Sequence, residues 1–185
     1  MAKYIRVLFY AVGLFIAVTA IAETSKMKFR ELDLEQDATP VFQSLRDKQR
    51  QLACMTQNVY WEAANEPPEG KIAVAQVVMN RVESGQFPSD PCQVIYQKSV
   101  IYSNIVCQFS WACDRASQMK PVHKDLWRES QEAAKMVLLE GFRLPSLKGA
   151  LYYHADYVNP KWGKKKVAHI GRHIFYNREK ADGRT

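Results

Sequence analysis

Apolar residues recur every three or four positions from Phe42 through Leu45, Leu52, Met55 and Val59 to Ala63, with Gln49 in the same register. That spacing is one face of an α-helix. Thr39-Pro40 offers a capping hydroxyl followed by a proline suited to the first helical position. Pro67-Pro68 ends the run, because the residue before a proline is pushed off helical geometry. A mostly buried helix is therefore expected, with Glu62 in its last turn or so. Pro68-Glu69-Gly70 opens a second helix through KIAVAQVVMNRV to about Glu83. Its apolar positions from Ile72 to Val82 cover more than half the circumference, the mark of a central core helix. Ser84-Gly85 stops it, and Ser89-Asp90-Pro91 caps a short helix over Cys92 to Gln97. Residues 99–122 mix aromatic and polar residues without a period and read as irregular. Asp125 to Glu140 reads as a further helix. Leu126, Trp127, Ser130, Ala133, Ala134, Val137 and Leu138 face inward, and Gly141 terminates it.

The last forty or so residues change character. Ala150-Leu151-Tyr152-Tyr153-His154, Val167-Ala168-His169-Ile170 and His173-Ile174-Phe175-Tyr176 are short aromatic or β-branched runs, punctuated by Asn159-Pro160 and Gly171. They predict a small antiparallel sheet after a mainly helical body, an α+β fold. No internal repeat is present.

The beginning of the chain has a different pattern. Met1 to Arg6 carries the cations Lys3 and Arg6 and no acid, and Val7 to Ala22 is uncharged and nearly all apolar. Ala20-Ile21-Ala22 has the small-x-small form read by signal peptidase, so residues 1–22 are expected to be a secretory signal peptide. An uncleaved anchor is the alternative, although sixteen helical residues span roughly 24 Å against the ~30 Å of a hydrocarbon core. Residues 23–38 are charged, with scattered apolar positions, and read as a polar linker. Residues 39–180 remain as one folded domain, within the usual size range. Both readings export that domain to the periplasm or cell envelope.

Composition narrows the class. The 185 residues are 47% hydrophobic and 24% charged, with 26 Lys+Arg against 19 Asp+Glu, which excludes a wholly disordered or collagen-like chain. The net charge of +7 becomes +5 once Lys3 and Arg6 leave. Cys54, Cys92, Cys107 and Cys113 make an even count, which in an exported chain predicts two disulfides with three connectivities open. No C-x-x-C pair is present, so a zinc-thiolate site is not expected.

Candidate chemistry centres on Tyr60-Trp61-Glu62-Ala63-Ala64-Asn65-Glu66-Pro67. Glu62 and Glu66 are four apart and share a helix face if the helix persists that far. A carboxyl among aromatic and apolar neighbours loses hydration, which raises its pKa and suits it to protonate a leaving glycosidic oxygen near neutral pH. Sugar binding needs flat apolar faces for the rings and polar groups for their edges. Phe109, Trp111, Tyr152, Tyr153 and Trp162 are the candidate faces. Gln108, Ser110 and His154 are the candidate hydrogen-bonding groups.

Three separated blocks carry a family resemblance: YWEAANEPPEGKIAVAQVVMNRV, CQFSW at 107–111, and GALYYHADYVNPKW leading to KKVAHIGRHIFY. Together they resemble the SleB-type cell-wall hydrolases over roughly Leu52 to Tyr176. The resemblance implies a lysozyme-like, lytic-transglycosylase-like fold that cleaves peptidoglycan between N-acetylmuramic acid and N-acetylglucosamine. It also implies that Glu62, matching the first Glu of an E-A-R-G-E pattern, is the catalytic acid/base. Ala64-Asn65 stands where the pattern has Arg-Gly. Glu66, Gln108, Phe109, Ser110, Trp111, Tyr152, Tyr153 and His154, inside the matching blocks, are the expected substrate contacts, and Asn80-Arg81 are expected to be structural. No cofactor is implied.

Such a transglycosylase needs one acid, whereas an ordinary glycosidase uses two carboxyl groups, with Asp156 or Glu66 as the second here. A zinc amidase is the enzymatic rival, with His154, His169, His173 and Asp156 as its nominal ligands. A non-catalytic peptidoglycan-binding protein is the other. Lys161, Lys164, Lys165 and Lys166, with Arg172 nearby, form a basic run. In an exported protein that run suits the polyanions of the envelope, the wall and anionic lipid headgroups, and not nucleic acid. The expected partner is the glycan strand, met by a monomer that touches a membrane only through its N-terminal segment.

Overall fold

A computed structural model describes residues 40–178, so the expected signal peptide, the linker and Thr39 lie outside the described residues. The chain divides into two units, residues 1–47 and residues 48–185. Helix α1 occupies 40–63, and its residues 40–50 are exposed throughout. Phe42 and Leu45, on the face expected to be buried, are exposed. A helical period says which face would be buried, not whether anything lies against it. Burial sets in along the helix toward Met55, Val59 and Ala63.

In the second unit, α2 (Pro68–Glu83) is buried almost from end to end, as its broad apolar surface predicts. On one side Ile72, Ala75 and Val78 join Met55 and Val59 of α1, and Val94 and Ile95 of α3 (Pro91–Ile95). Ala133, Ala134 and Val137 of α5 (Lys124–Leu138) complete that cluster with Phe109 and Trp111. On its other side Ala73 and Val77 meet Ile170 and Phe175 of the sheet. Each fully buried valine in this wall contributes about 1.5–3 kcal/mol. The Asp90 cap is as expected, its carboxylate accepting from Gln93 N at 3.1 Å. Gly141 follows α5 at φ +70°.

Polar residues buried on α2 attach the sheet. Gln76 exchanges two hydrogen bonds with the Leu144 backbone, donating at 3.1 Å and accepting at 2.7 Å. Asn80 Nδ2 donates to Leu147 O and Ala150 O, both at 2.9 Å. Arg81 Nε donates to Leu151 O at 2.9 Å. Every buried backbone carbonyl needs such a partner. These side chains thereby fix where the first strand of the sheet starts.

That sheet has β3 (Ala150–Ala155), β4 (Lys165–Ile170) and β5 (His173–Asn177) in the order β3-β5-β4, all antiparallel. Register pairs Tyr153 with Phe175 and Tyr152 with Tyr176. Side chains alternate across a strand, so Leu151, Tyr153, His173 and Phe175 face the helices, while Tyr152, His154 and Tyr176 face away. The α+β expectation holds, helical body first and sheet last.

Residues 99–122, expected to be irregular, are so only in part, at 119–122 and in short connections. Lys98–Ile101 (β1) and Asn104–Cys107 (β2) form an antiparallel hairpin, followed by a 3₁₀ turn at Ser110–Ala112 and a short α4 at Arg115–Gln118. Its two-residue loop is Tyr102 and Ser103, both left-handed at φ 47° and 66°. Such loops normally carry Asn-Gly or Asp-Gly, and a side chain there costs about 1–2 kcal/mol per residue. Without those residues the hairpin leaves no turn signal. The four cysteines pair Cys54–Cys92 and Cys107–Cys113. No helix among the described residues is long and apolar enough to cross a membrane.

Candidate active site

Helix α1 ends at residue 63, and residues 64–67 turn the chain into α2. Glu62 therefore sits in the last turn, as its position before Pro67-Pro68 predicts, but Glu66 lies beyond the helix. The two do not share a helix face. They nevertheless line one cavity of about 380 Å³, bounded by Tyr60, Trp61, Asn65, Leu126, Ala155, Tyr157, Arg172 and His173. A cavity of this size matches the usual range for small-molecule sites.

On its wall, Glu62 Oε2 accepts a hydrogen bond from Tyr153 Oη at 2.9 Å. Burial dominates the Glu62 carboxyl and pushes its pKa up from 4.5. The Tyr153 hydrogen bond and the Arg81 charge pull it down without cancelling that rise. Burial, then the Glu62 charge, hold the Tyr153 phenol well above the ordinary tyrosine range, so it remains a donor. Tyr153 is itself braced edge-on against His173, with ring centroids 5.2 Å apart.

Arg81 is buried beside this pair, its guanidinium carbon 5.2 Å from the Phe87 ring centroid and 5.3 Å from that of Phe109. The Gln108 amide, with its oxygen toward the guanidinium, accepts from Nη1 and Nη2 at 3.2 Å each. Arg81 is structural, as expected, through Leu151 and these rings. It is also the cation that acts on Glu62, a role its distance in sequence concealed.

Glu66 is held at one carboxylate oxygen and at its carbonyl. Its Oε2 accepts from Arg172 N at 2.9 Å, and its carbonyl accepts from Lys71 Nζ at 2.7 Å. Lys71, buried, also pairs with Glu129 at 2.9 Å. A Cβ on Gly171, in the turn between β4 and β5, would lie 1.9 Å from Glu66 Oε2, so only glycine allows this approach. His173 Nδ1 faces Glu66 Oε1 at 3.9 Å, too far for a hydrogen bond, and has no other partner. Burial lowers the His173 pKa despite the charges of Glu66 and Asp156, which favours the neutral ring.

The remaining expected contacts scatter. Phe109 and Trp111 are buried in the helical cluster, with Trp111 Nε1 donating to Asn58 Oδ1 at 3.2 Å. Their rings are occupied by packing, which corrects the expectation that they present faces to a sugar. Ser110 is exposed at the start of the 3₁₀ turn. Tyr152 and His154 point to the outer side of the sheet, away from Glu62. There His154 Nε2 meets Tyr176 Oη at 2.8 Å and its Nδ1 meets Ala155 O at 2.8 Å. Trp162 packs edge-on against both His154 and Tyr176, and Lys164 Nζ lies 4.0 Å from the Tyr152 ring centroid.

The nominal zinc ligands do not converge. His154 and His169 lie on the outer face of the sheet, His173 on the inner, and Asp156 is bound to Arg172 at 3.0 Å. Among the described residues no three of His, Cys, Asp and Glu are grouped as a metal site requires. Tyr157 is a cavity residue that pattern reasoning missed, and His173 and Arg172, noted only as a nominal zinc ligand and beside the basic run, line the cavity too. The alternation of β5 could have put His173 on the same face as Phe175.

The family described as Cell Wall Hydrolase matches residues 65–176, beginning three residues after Glu62. The chain is 30% identical to a spore cortex-lytic enzyme of Bacillus subtilis over 123 residues, which are 65% of this chain and 35% of that protein. It is also 30% identical to one from Halalkalibacterium halodurans over 154 residues, 80% of this chain and 40% of that protein. It thus spans well under half the length of the curated relatives it matches. Among solved structures it is similar to the catalytic domain of the Bacillus cereus SleB protein, with a TM-score of 0.53 and 29% identity over 70% of this chain and 91% of that one. The catalytic domain of the germination-specific lytic transglycosylase SleB from Bacillus anthracis gives a TM-score of 0.54 and 29% identity over 70% and 95%.

Proposed function

The chain belongs to the cell wall hydrolase family, and from that premise we propose an exported lytic transglycosylase that cleaves peptidoglycan between N-acetylmuramic acid and N-acetylglucosamine, with Glu62 as its single acid/base. The observation that carries this reading is a carboxyl group in a saccharide-sized cavity, protonated more readily than usual by burial and aimed by Tyr153. Glu62 gives its proton to the leaving glycosidic oxygen as the bond to the anomeric carbon breaks. The resulting carboxylate takes the proton from the muramyl 6-hydroxyl as that oxygen attacks the anomeric carbon. The product is a 1,6-anhydro end, and Glu62 is again protonated.

A single-acid mechanism is supported by what the other carboxylates are doing. Asp156 is drawn below the usual carboxylate range chiefly by its hydrogen bonds to Arg172. Glu66 is taken up by the Arg172 amide. Asp156 is thus committed to an ion pair and does not line the cavity, and Glu66 has one oxygen engaged, which favours a single acid over the two carboxylates of an ordinary glycosidase. Glu62→Gln keeps the shape and removes the proton. Purified sacculi treated with the parent protein should yield anhydro-muramyl ends by mass spectrometry, and the variant should yield none. Reducing muramic ends would make the protein a hydrolase, freed peptides an amidase, and equal behaviour of the two proteins would remove Glu62 from the chemistry.

A further inference from the structure

The β1–β2 hairpin is apolar on both faces and covered on neither. Val100 is 75% exposed and Ile105, paired across from it, 66%. On the opposite face Ile101 is 50% and Val106 45% exposed, and Tyr102 at the tip is 95% exposed. A monomeric surface rarely gathers such residues without a partner. The tip keeps its tyrosine in a left-handed backbone that glycine or asparagine would adopt more easily. The base is secured by Gln108 N donating to Gln97 O at 2.9 Å and by the Cys107–Cys113 disulfide. What projects is a short, anchored finger.

We propose that this hairpin inserts shallowly into the surface of a lipid bilayer. A flat partner, whether a protein or a glycan sheet, covers one face of a hairpin and leaves the other wet. A bilayer surrounds both. Residues 91–113 contain no acid and one cation, Lys98, which suits anionic headgroups. The outer edges of β1 and β2 are unpaired in this two-stranded sheet, and hydrocarbon does not tolerate open edges. Insertion therefore stops at the interfacial layer, where headgroups and water satisfy the backbone. A tyrosine at the tip belongs at that depth. The sequence supplies proximity as well. An uncharged apolar run at 7–22 precedes Pro40 by only seventeen intervening residues, 23–39. Retained in a bilayer, that run would keep the body within about 60 Å of it, the extended reach of the stretch.

All four native cysteines are in disulfides, so Ser103→Cys introduces one reactive thiol at the tip, and Lys148→Cys one on an exposed surface loop. Each is placed in the full 185-residue chain, labelled with an environment-sensitive fluorophore, and mixed with vesicles of phosphatidylethanolamine and phosphatidylglycerol. The label at 103 should shift to the blue. Lipids brominated near the headgroup end of the acyl chain should quench it more than lipids brominated near the chain terminus. The label at 148 should do neither. Adding Val100→Asp and Ile105→Asp should weaken the response at 103 about tenfold or more, while cleavage of solubilised glycan persists and shows that the body is folded. The proposal is overturned if position 103 does not respond, if both positions respond alike, or if the double substitution changes nothing. It is equally overturned if the shift needs sacculi instead of vesicles, or grows with protein concentration in the absence of lipid, which would identify a glycan or a second copy as the occupant.

Discussion

Tyr153 Oη reaches Glu62 Oε2 across 2.9 Å and joins the last turn of α1 to the middle of β3, ninety-one positions apart in sequence. The contact orients the carboxyl and also restrains its pKa, because a donor favours the charged form. Arg81 works in the same direction, and burial outweighs both. Donation to a leaving oxygen requires the protonated carboxyl. Activity should therefore fall on the alkaline side as pH rises through a Glu62 pKa that sits above 4.5. Tyr153→Phe removes one restraint, so that limb should move to higher pH, and kcat should drop about tenfold to a hundredfold with the loss of a hydrogen bond to a charged group. Full pH–rate profiles decide it. A variant that lost activity with an unmoved limb would show Tyr153 to be a packing residue only.

Glu62→Gln should lower the rate of glycan cleavage by about 10²–10⁴-fold, the usual contribution of a positioned acid/base. The same substitution should stabilise the fold near neutral pH. Below about pH 4.5 Glu62 is protonated in both the folded and the unfolded chain and carries no penalty. As pH rises past that value the unfolded chain ionises while the folded one resists. Parent stability then declines until the folded pKa is passed, by about 1.4 kcal/mol for each tenfold difference in proton affinity. The amide has no such slope. Thermal unfolding of both proteins between acid and neutral pH should show an advantage for the variant that grows with pH and then levels off, and a constant difference would refute the buried, proton-holding carboxyl.

Much of this geometry is legible in the chain. Helix α2 and the end of α1 follow from the apolar period and from Pro67-Pro68, and the cap at Asp90 follows from Ser89-Asp90-Pro91. The strands follow from their β-branched and aromatic runs. Alternation alone says that Tyr152 and Tyr153 face opposite ways, yet nothing local says which faces inward. That is decided by Asn80 and Arg81, which seize Ala150 and Leu151 from seventy positions away. The hairpin escapes because its turn is made by Tyr102 and Ser103. Phe109 and Trp111 mislead because an aromatic block has the same composition whether it stacks on sugars or fills a core.

The clasp around Glu66 makes a sharper structural prediction. Gly171→Ala places a methyl group 1.9 Å from Glu66 Oε2 in a backbone at φ +56°. Overpacking of about 1–3 kcal/mol and left-handed strain of about 1–2 kcal/mol together predict a loss of about 2–5 kcal/mol. Most of the first part depends on Glu66, whose carboxylate is nearest, with Pro67 Cδ at 3.1 Å adding the rest. Glu66→Ala should therefore recover most of the overpacking share, leaving the double variant more stable than the two single losses added together. A double-mutant cycle from denaturant unfolding measures this directly, and strict additivity would mean that the turn yields without touching the carboxylate.

The two disulfides should differ in worth because they close loops of different length. Cys54–Cys92 ties α1 to α3 across a separation of 38, and Cys107–Cys113 closes a separation of 6 below the hairpin. Loop-closure entropy in the unfolded chain then predicts about 4 kcal/mol for the first and about 2 kcal/mol for the second. Losing the first should loosen the packing of Met55 and Val59 against Val94 and Ile95, and with it the helix that carries Glu62. Losing the second should free the base of a hairpin that contributes no side chain to the cavity. Paired Cys→Ser variants should therefore separate. Cys54→Ser/Cys92→Ser should lower both the unfolding midpoint and the cleavage rate at elevated temperature. Cys107→Ser/Cys113→Ser should lower the midpoint by about half as much and leave cleavage of soluble glycan near its parent value. An equal loss of cleavage in both variants would mean that the hairpin base supports the catalytic cavity directly, through Gln108 and Arg81.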